Sequence, residues 1–239
     1  MARTRDEIGD LAARMNEMIR QLSERLELMK FVSRGTVSAI RAADAAGVTR
    51  GGERRHVAVL FSDIRGYTAF SGANPPEVVV EMLNSYLDAQ TAIIEAHGGD
   101  VDKFIGDEVV ALFHGADMER NAVAAALAIQ RGLADLLEAH PEWNLHVGVG
   151  IAAGEVVMGA IGARDRLDFT ALGGTVNLAS RLCDAAPPDG IIVAGPVRDS
   201  LADQDFVRFE PLPPIALKGY ALPVAAFAAH ASSMSHEAV

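Results

Sequence analysis

One cysteine, Cys183, is all that this chain of 239 residues carries. An intrachain disulfide is therefore excluded, and a reducing compartment is indicated. Placed in a helical run just after Arg181, it reads as a small buried hydrophobe rather than a reactive thiol. Basic residues are also in deficit, 21 against 32 acidic ones, for a formal charge of −11. That balance argues against a nucleic-acid scaffold, and a polyanionic substrate would need local cations or metal ions. No strongly apolar stretch reaches the roughly 18 residues needed to cross a bilayer, and the opening MARTRDEIGD lacks the apolar segment of a signal peptide. The expectation is a cytoplasmic chain, either free or the cytosolic portion of a longer membrane receptor. Internal repeats and low-complexity tracts are absent as well. What remains is half apolar, enough to bury one substantial core with an extension.

The extension comes first. Ile8, Leu11, Met15, Met18, Leu22, Leu26 and Met29 are spaced 3, 4, 3, 4, 4 and 3, a heptad pattern with one four-residue stutter after Leu22. This predicts a dimerising helix over residues 1–45; an amphipathic helix lying on the chain's own domain is the plainer alternative. The segment DEIGDLAARMNEMIRQL resembles the start of the second helix of HAMP linkers, which join membrane sensors to cytosolic outputs. The run AADAAGVTRGG marks a linker, taken as residues 46–53.

From residue 54 the pattern is mixed α and β. Residues 57–61 read as a buried strand, and Pro75-Pro76 opens a helix that runs through 94 and ends at Gly98-Gly99. Residues 101–105 and 109–113 read as a hairpin turning at Gly106-Asp107. A helix over 118–137 follows, then strands at 145–151 and 156–161 on either side of Gly154, a strand at 167–171 and a helix at 175–183. The order predicts an α+β fold with a ferredoxin-like βαββαβ core and a C-terminal extension, spanning 54–228. The tail 229–239 is expected to be disordered.

Two carboxylates interrupt apolar strands: Asp63 in FSDIRGYT and Asp107 in DKFIGDEVVALF. Each alone reads as a turn residue. An ionised carboxylate beside a buried strand costs free energy unless a cation compensates, and Mg²⁺ or Mn²⁺ takes carboxylate oxygens while leaving positions open for phosphate. Strand alternation would let Lys103 project on the same face as Asp107. Asn177 and Arg181 are one helical turn apart and can contact a sugar oxygen and a phosphoryl oxygen together. The set suits charge stabilisation of an in-line displacement at phosphorus.

FSDIRGYTAF, GGDVDKFIGDEVVALF, VGVGIAAGEVVMGAIG and DFTALGGTVNLASRL resemble, in order and spacing, the catalytic domain of class III nucleotidyl cyclases. The resemblance implies that Asp63 and Asp107, with the Ile64 carbonyl, hold two Mg²⁺ or Mn²⁺ ions per active site. It implies a homodimer with two shared sites, ATP lying across the interface, metals from one subunit and Asn177 and Arg181 from the other. One metal would lower the pKa of the 3′-hydroxyl for attack on the α-phosphate. Lys218 matches the lysine that binds the terminal phosphates, and Gly66, Tyr67 and Thr68 would offer backbone N–H groups to phosphate. Lys103 would donate to adenine N1, where guanylate cyclases tend to carry glutamate. Thr170 would face the 6-amino group, and threonine there marks the bicarbonate-responsive class IIIb; its hydroxyl can either accept or donate.

Some residues depart from the pattern. Gly174 stands where the family has an aspartate that would cap the Asn177 helix, which leaves Thr175 as the alternative cap. Arg164 or Arg166 could reach phosphate. The expectation is an adenylate cyclase making 3′,5′-cyclic AMP from ATP in signal transduction, with an upstream sensor joined through the first helix. The alternatives are a guanylate cyclase and a catalytically silent pseudocyclase that relays a signal as a dimer. Gly98-Gly99-Asp100 alone resembles a diguanylate cyclase turn, but Val101 and Asp102 follow in place of Glu-Phe, so it is coincidental.

Overall fold

A computed structural model describes residues 3–43, 49–163, 166–216 and 223–232. Two compact units divide the chain, Met1–Val48 and Thr49–Val239.

In the first unit, α1 covers Arg3–Leu28, a 3-10 turn takes Met29–Phe31, and α2 covers Arg34–Ala42. A single helix to residue 45 was the expectation; the chain breaks it because Ser33 starts a new helix, its Oγ accepting the Thr36 N–H at 3.2 Å. On α1, Ile8, Leu11, Met15, Met18, Leu22 and Leu26 are all more than half exposed. Arg20 meanwhile pairs with Glu17 and Glu24 at 2.7 and 2.8 Å. The apolar stripe therefore has no cover within the described part of its unit. Among the described residues, no helix is long and apolar enough to cross a membrane.

The second unit runs β1 (Gly51–Arg65), α3 (Tyr67–Ala73), α4 (Pro76–Ala96), β2 (Gly99–Ile105), β3 (Glu108–Phe113), α5 (Met118–Ala139), β4 (His146–Ala163), β5 (Arg166–Leu172) and α6 (Gly174–Ala185). It finishes with β6 (Ile191–Ala194), α7 (Gly195–Ser200), β7 (Val207–Pro211) and β8 (Ala226–Ala231). The sheet order is β2-β3-β1-β4-β6-β8-β7, with β5 also on β4. Its first four strands with α4 and α5 give the expected βαββαβ core. Alternation along β1 divides the interior between two faces. Ala58, Leu60 and Ile64 join one cluster with Met82, Tyr86 and Ile94 of α4 and Ile129 of α5. Val57, Val59 and Phe61 join the other with Ala179, Leu182 and Cys183 of α6. On the α4 side, Tyr86 Oη donates to the Leu145 carbonyl at 2.7 Å and Ser62 Oγ to Gln90 Oε1 at 2.6 Å.

Four boundaries differ from the sequence reading. β1 starts at Gly51, inside the expected linker, because 51–55 pair with 156–160 of β4 as an exposed ribbon that no apolar run announces. β4 passes through Gly154 without a break. That glycine makes room for α6, since a Cβ there would lie 2.8 Å from Thr175 Oγ1. α3 was not expected; it begins after Gly66, whose φ of 86° suits a residue without a side chain. β8 continues to Ala231, pairing with Val207, so the start of the expected disordered tail is a strand. Residues 233–239 lie outside the described residues.

Candidate active site

The hairpin delivers Asp107 to Asp63. β3 pairs with β1 up to Ser62 opposite Val109, and β2 with β3 at Ile105 opposite Glu108, leaving Gly106 (φ 67°) and Asp107 as the turn. Asp63 continues the α6-facing alternation of β1. Burial, then the charge of Asp63, pushes the Asp107 carboxyl up to about 6, against hydrogen bonding from the backbone of Asp107 and Ile64. Glu108 is pushed up to about 7 by burial and by Asp63, Asp184 and Asp107, with Arg65 opposing. Asp63, Asp107 and Glu108 thus crowd negative charge together, with the Arg65 guanidinium bonded to Asp63.

That guanidinium was not singled out in the sequence. Arg65 Nη1 donates to Asp63 Oδ2 at 2.7 Å, Nη2 donates to the Cys183 carbonyl near the end of α6, and Nε is buried without a partner. Gly148 provides the space, since a Cβ there would overlap the Arg65 guanidinium. The spacing of two residues after Asp63 on one strand was the available signal. Cys183 is a buried thiol as expected, pushed by burial up to about 12.

Among the described residues no group of three or more His, Cys, Asp or Glu side chains could hold a metal ion. Two converging carboxylates, one of them paired with Arg65, nevertheless fit a hard divalent cation whose other ligands would come from backbone carbonyl, water and phosphate. The Ile64 side chain is buried in the α4 and α5 face, so only its carbonyl is available for such a role.

Lys103 belongs to a different group of residues from Asp107. Alternation stops at the turn, so the expected common face with Asp107 does not extend that far. Lys103 Nζ instead donates to Asp168 Oδ2 of β5 at 2.9 Å and lies 3.6 Å from Asp102 Oδ2. Thr170 Oγ1 donates to that same Asp102 oxygen at 2.8 Å. Asp102 keeps only 5% of its side chain exposed. Burial raises its pKa, while the Thr170 hydroxyl and Lys103 oppose the shift. Lys103 and Thr170 are therefore brought together, through two aspartates that sequence reasoning passed over. A bulge between Val101 and Lys103 hid Asp102 from a strict period of two.

Asn177 and Arg181 lie on α6, which packs so closely on β4 that a Cβ at Gly150 would overlap the Cys183 nitrogen and the Ala179 carbonyl. Asn177 is exposed, and Arg181 Nη1 bonds to Asp184 at 2.9 Å. The partner of Arg181 is thus a neighbour on its own helix, and not Asp63, Asp107 or Lys103. Gly173, at φ 150°, occupies the N-cap of α6 with no side-chain cap. Thr175 does not supply one: its hydroxyl donates to the Glu155 carbonyl at 2.9 Å and ties the helix to β4. At the start of α3, Gly66 and Thr68 are exposed while Tyr67 packs against the core. Lys218 and Arg164 lie outside the described residues, and Arg166 is exposed on β5.

A family model described as the adenylate and guanylate cyclase catalytic domain matches residues 51–230. An uncharacterised protein of Mycobacterium tuberculosis is 33% identical over 222 residues, covering 91% of this chain and 41% of its own length. The chain thus spans about two fifths of that curated relative. Among solved structures, the adenylyl cyclase CyaB from P. aeruginosa is 30% identical with a TM-score of 0.71, covering 77% of this chain and 98% of that one. The guanylyl cyclase Cya2 is also 30% identical, with a TM-score of 0.70, covering 78% and 98%.

Proposed function

This chain belongs to the adenylate and guanylate cyclase catalytic-domain family, and from that membership we propose that it converts ATP to 3′,5′-cyclic AMP and pyrophosphate at two sites shared by a homodimer. Cyclases of this family use divalent metals and act on nucleotides as dimers. The observation that carries the choice of ATP is the pairing of Lys103 with Thr170 around Asp102. It sets a cationic donor beside a hydroxyl oxygen, the complement of adenine's N1 and 6-amino group.

The remaining residues divide the work. Asp63 and Asp107 would hold two Mg²⁺ or Mn²⁺ ions, which when bound supply the charge that acidifies the 3′-hydroxyl and neutralises the pyrophosphate. Arg65 fixes the orientation of Asp63. Asn177, exposed on α6, and Arg181, paired along that helix with Asp184, would serve the nucleotide held by the partner. Asn177 would orient the ribose, and Arg181 would meet the charge that develops on the α-phosphate. Gly66 to Thr68 would offer N–H groups to phosphate, and Lys218 would meet the terminal phosphates.

Purified chain with Mn²⁺ and either ATP or GTP tests this directly. Cyclic AMP as the dominant product is expected. Dominant cyclic GMP would make it a guanylate cyclase, and no product from either nucleotide would make it a silent pseudocyclase. The exposed stripe of α1 would pair with a second copy and carry an upstream input to the catalytic dimer. Removing residues 1–45 is expected to weaken dimerisation in sedimentation and to lower activity at low protein concentration; unchanged values for both would contradict this role.

A further inference from the structure

We propose that Asp102 is the specificity-determining positioning residue of the base pocket: it accepts the Thr170 O–H hydrogen bond, so that the Thr170 oxygen faces substrate only as an acceptor, and it keeps the Lys103 ammonium beside it as the donor. The inference rests on the cyclase reading and goes beyond it, because the Thr170 hydroxyl alone does not fix the direction of its hydrogen bond to the base.

A threonine hydroxyl has one proton and two lone pairs. Left free, it would donate to the O6 of guanine as readily as it accepts from the 6-amino group of adenine, and it would discriminate poorly. Here the proton is committed, since Thr170 Oγ1 donates to Asp102 Oδ2 at 2.8 Å. The acceptor is an anion whose side chain is only 5% exposed, so water competes weakly for it and the charge-assisted bond is strong. The lone pairs of Oγ1 are what remains for a ligand.

The same carboxylate oxygen lies 3.6 Å from Lys103 Nζ, and Asp168 Oδ2 lies 2.9 Å from it on the other strand. An ammonium has three N–H donors. One is given to Asp168, Asp102 holds the ammonium at ion-pair distance, and donors remain for the base. The pocket then presents a donor next to an acceptor. Adenine offers the opposite pair, the N1 lone pair and the 6-amino N–H. Guanine offers N1–H and O6, which places donor against donor and acceptor against acceptor. Unmatched polar groups in a desolvated site are costly, so the orientation imposed on Thr170 by Asp102 adds discrimination that a free hydroxyl lacks.

The test is the ratio of kcat/KM for ATP to that for GTP in Asp102→Ala and Asp102→Asn, with the ratio of dissociation constants for the two nucleotides measured alongside. Asp102→Ala frees the Thr170 rotor, and both ratios are expected to fall roughly tenfold, about one hydrogen bond's worth of discrimination. Asp102→Asn keeps a carbonyl oxygen as acceptor and is expected to hold both ratios within about threefold of the parent. A purely structural aspartate would lower ATP and GTP turnover alike and leave the ratios unchanged. That result, or an Asn variant as unselective as the Ala variant, overturns the proposal. Absence of product from the parent chain would instead overturn the cyclase reading, while the binding ratios would still decide the role of Asp102.

Discussion

Asp107→Ala is expected to lower cyclic nucleotide formation by about 10³-fold or more, without unfolding the protein. The loss follows from the charge the site must handle. Asp63 and Asp107 are the carboxylates that converge where β1 meets the β2–β3 turn. Metal ions held there would be worth several kcal/mol to the transition state, at 1.36 kcal/mol per tenfold in rate. Stability should move the other way. Burial and the Asp63 charge raise the Asp107 pKa to about 6, above its ordinary unfolded value. The stabilisation this gives is complete below the unfolded value and is lost as pH rises through about 6, so at pH 7.5 the ionised Asp107 weakens the metal-free fold. Removing it at that pH should leave Tm equal or higher. Adding Mn²⁺ should raise Tm for the parent through binding to the folded state, and much less for the variant. Full activity in Asp107→Ala, or an equal Mn²⁺ shift in both proteins, would contradict the assignment.

The second large effect is expected at Arg181. Alanine there should lower kcat by about 10²-fold or more and change KM little, because a group that meets charge developing on the α-phosphate acts in the transition state and not in the ground state. The fold should tolerate the change. The side chain is 43% exposed and its ion pair with Asp184, at 2.9 Å, lies on the helix surface, where such pairs contribute little. Lysine should recover only part of the rate, since an ammonium does not reproduce the planar fork of the guanidinium. An equal rise in KM with unchanged kcat would instead make Arg181 a simple substrate-binding residue.

How much of this was legible in the sequence depended on whether a signal was local. The β1 core, the two long helices and the hairpin turn followed from apolar periodicity and from Pro75-Pro76, Gly98-Gly99 and Gly106. The βαββαβ order followed from them. The ribbon at 51–55 was not legible, because its residues are exposed glycines and charged side chains that pair with the far half of β4. Gly154 was misread because a glycine that admits a helix looks like one that ends a strand. Asp63, Asp107, Lys103, Thr170, Asn177 and Arg181 were singled out as candidates from residue chemistry and resemblance. The aspartates that orient Lys103 and Thr170 were not, since Asp168 acts across strands that only the β4–β5 pairing brings together and Asp102 sits at a bulge. Arg65 was missed for a related reason: its second partner, the Cys183 carbonyl, lies 118 residues away.

The central claim is that one copy supplies the metal carboxylates and the other supplies Asn177 and Arg181. Co-expressing Asp107→Ala and Arg181→Ala chains under separate affinity tags, and assaying the doubly purified heterodimer, measures it most directly. Each heterodimer would contain one site with both defects and one with neither, so the account predicts recovery of roughly half the parent activity per dimer from two inactive chains. A heterodimer no more active than either variant alone would contradict it, and would place the whole catalytic set within a single chain.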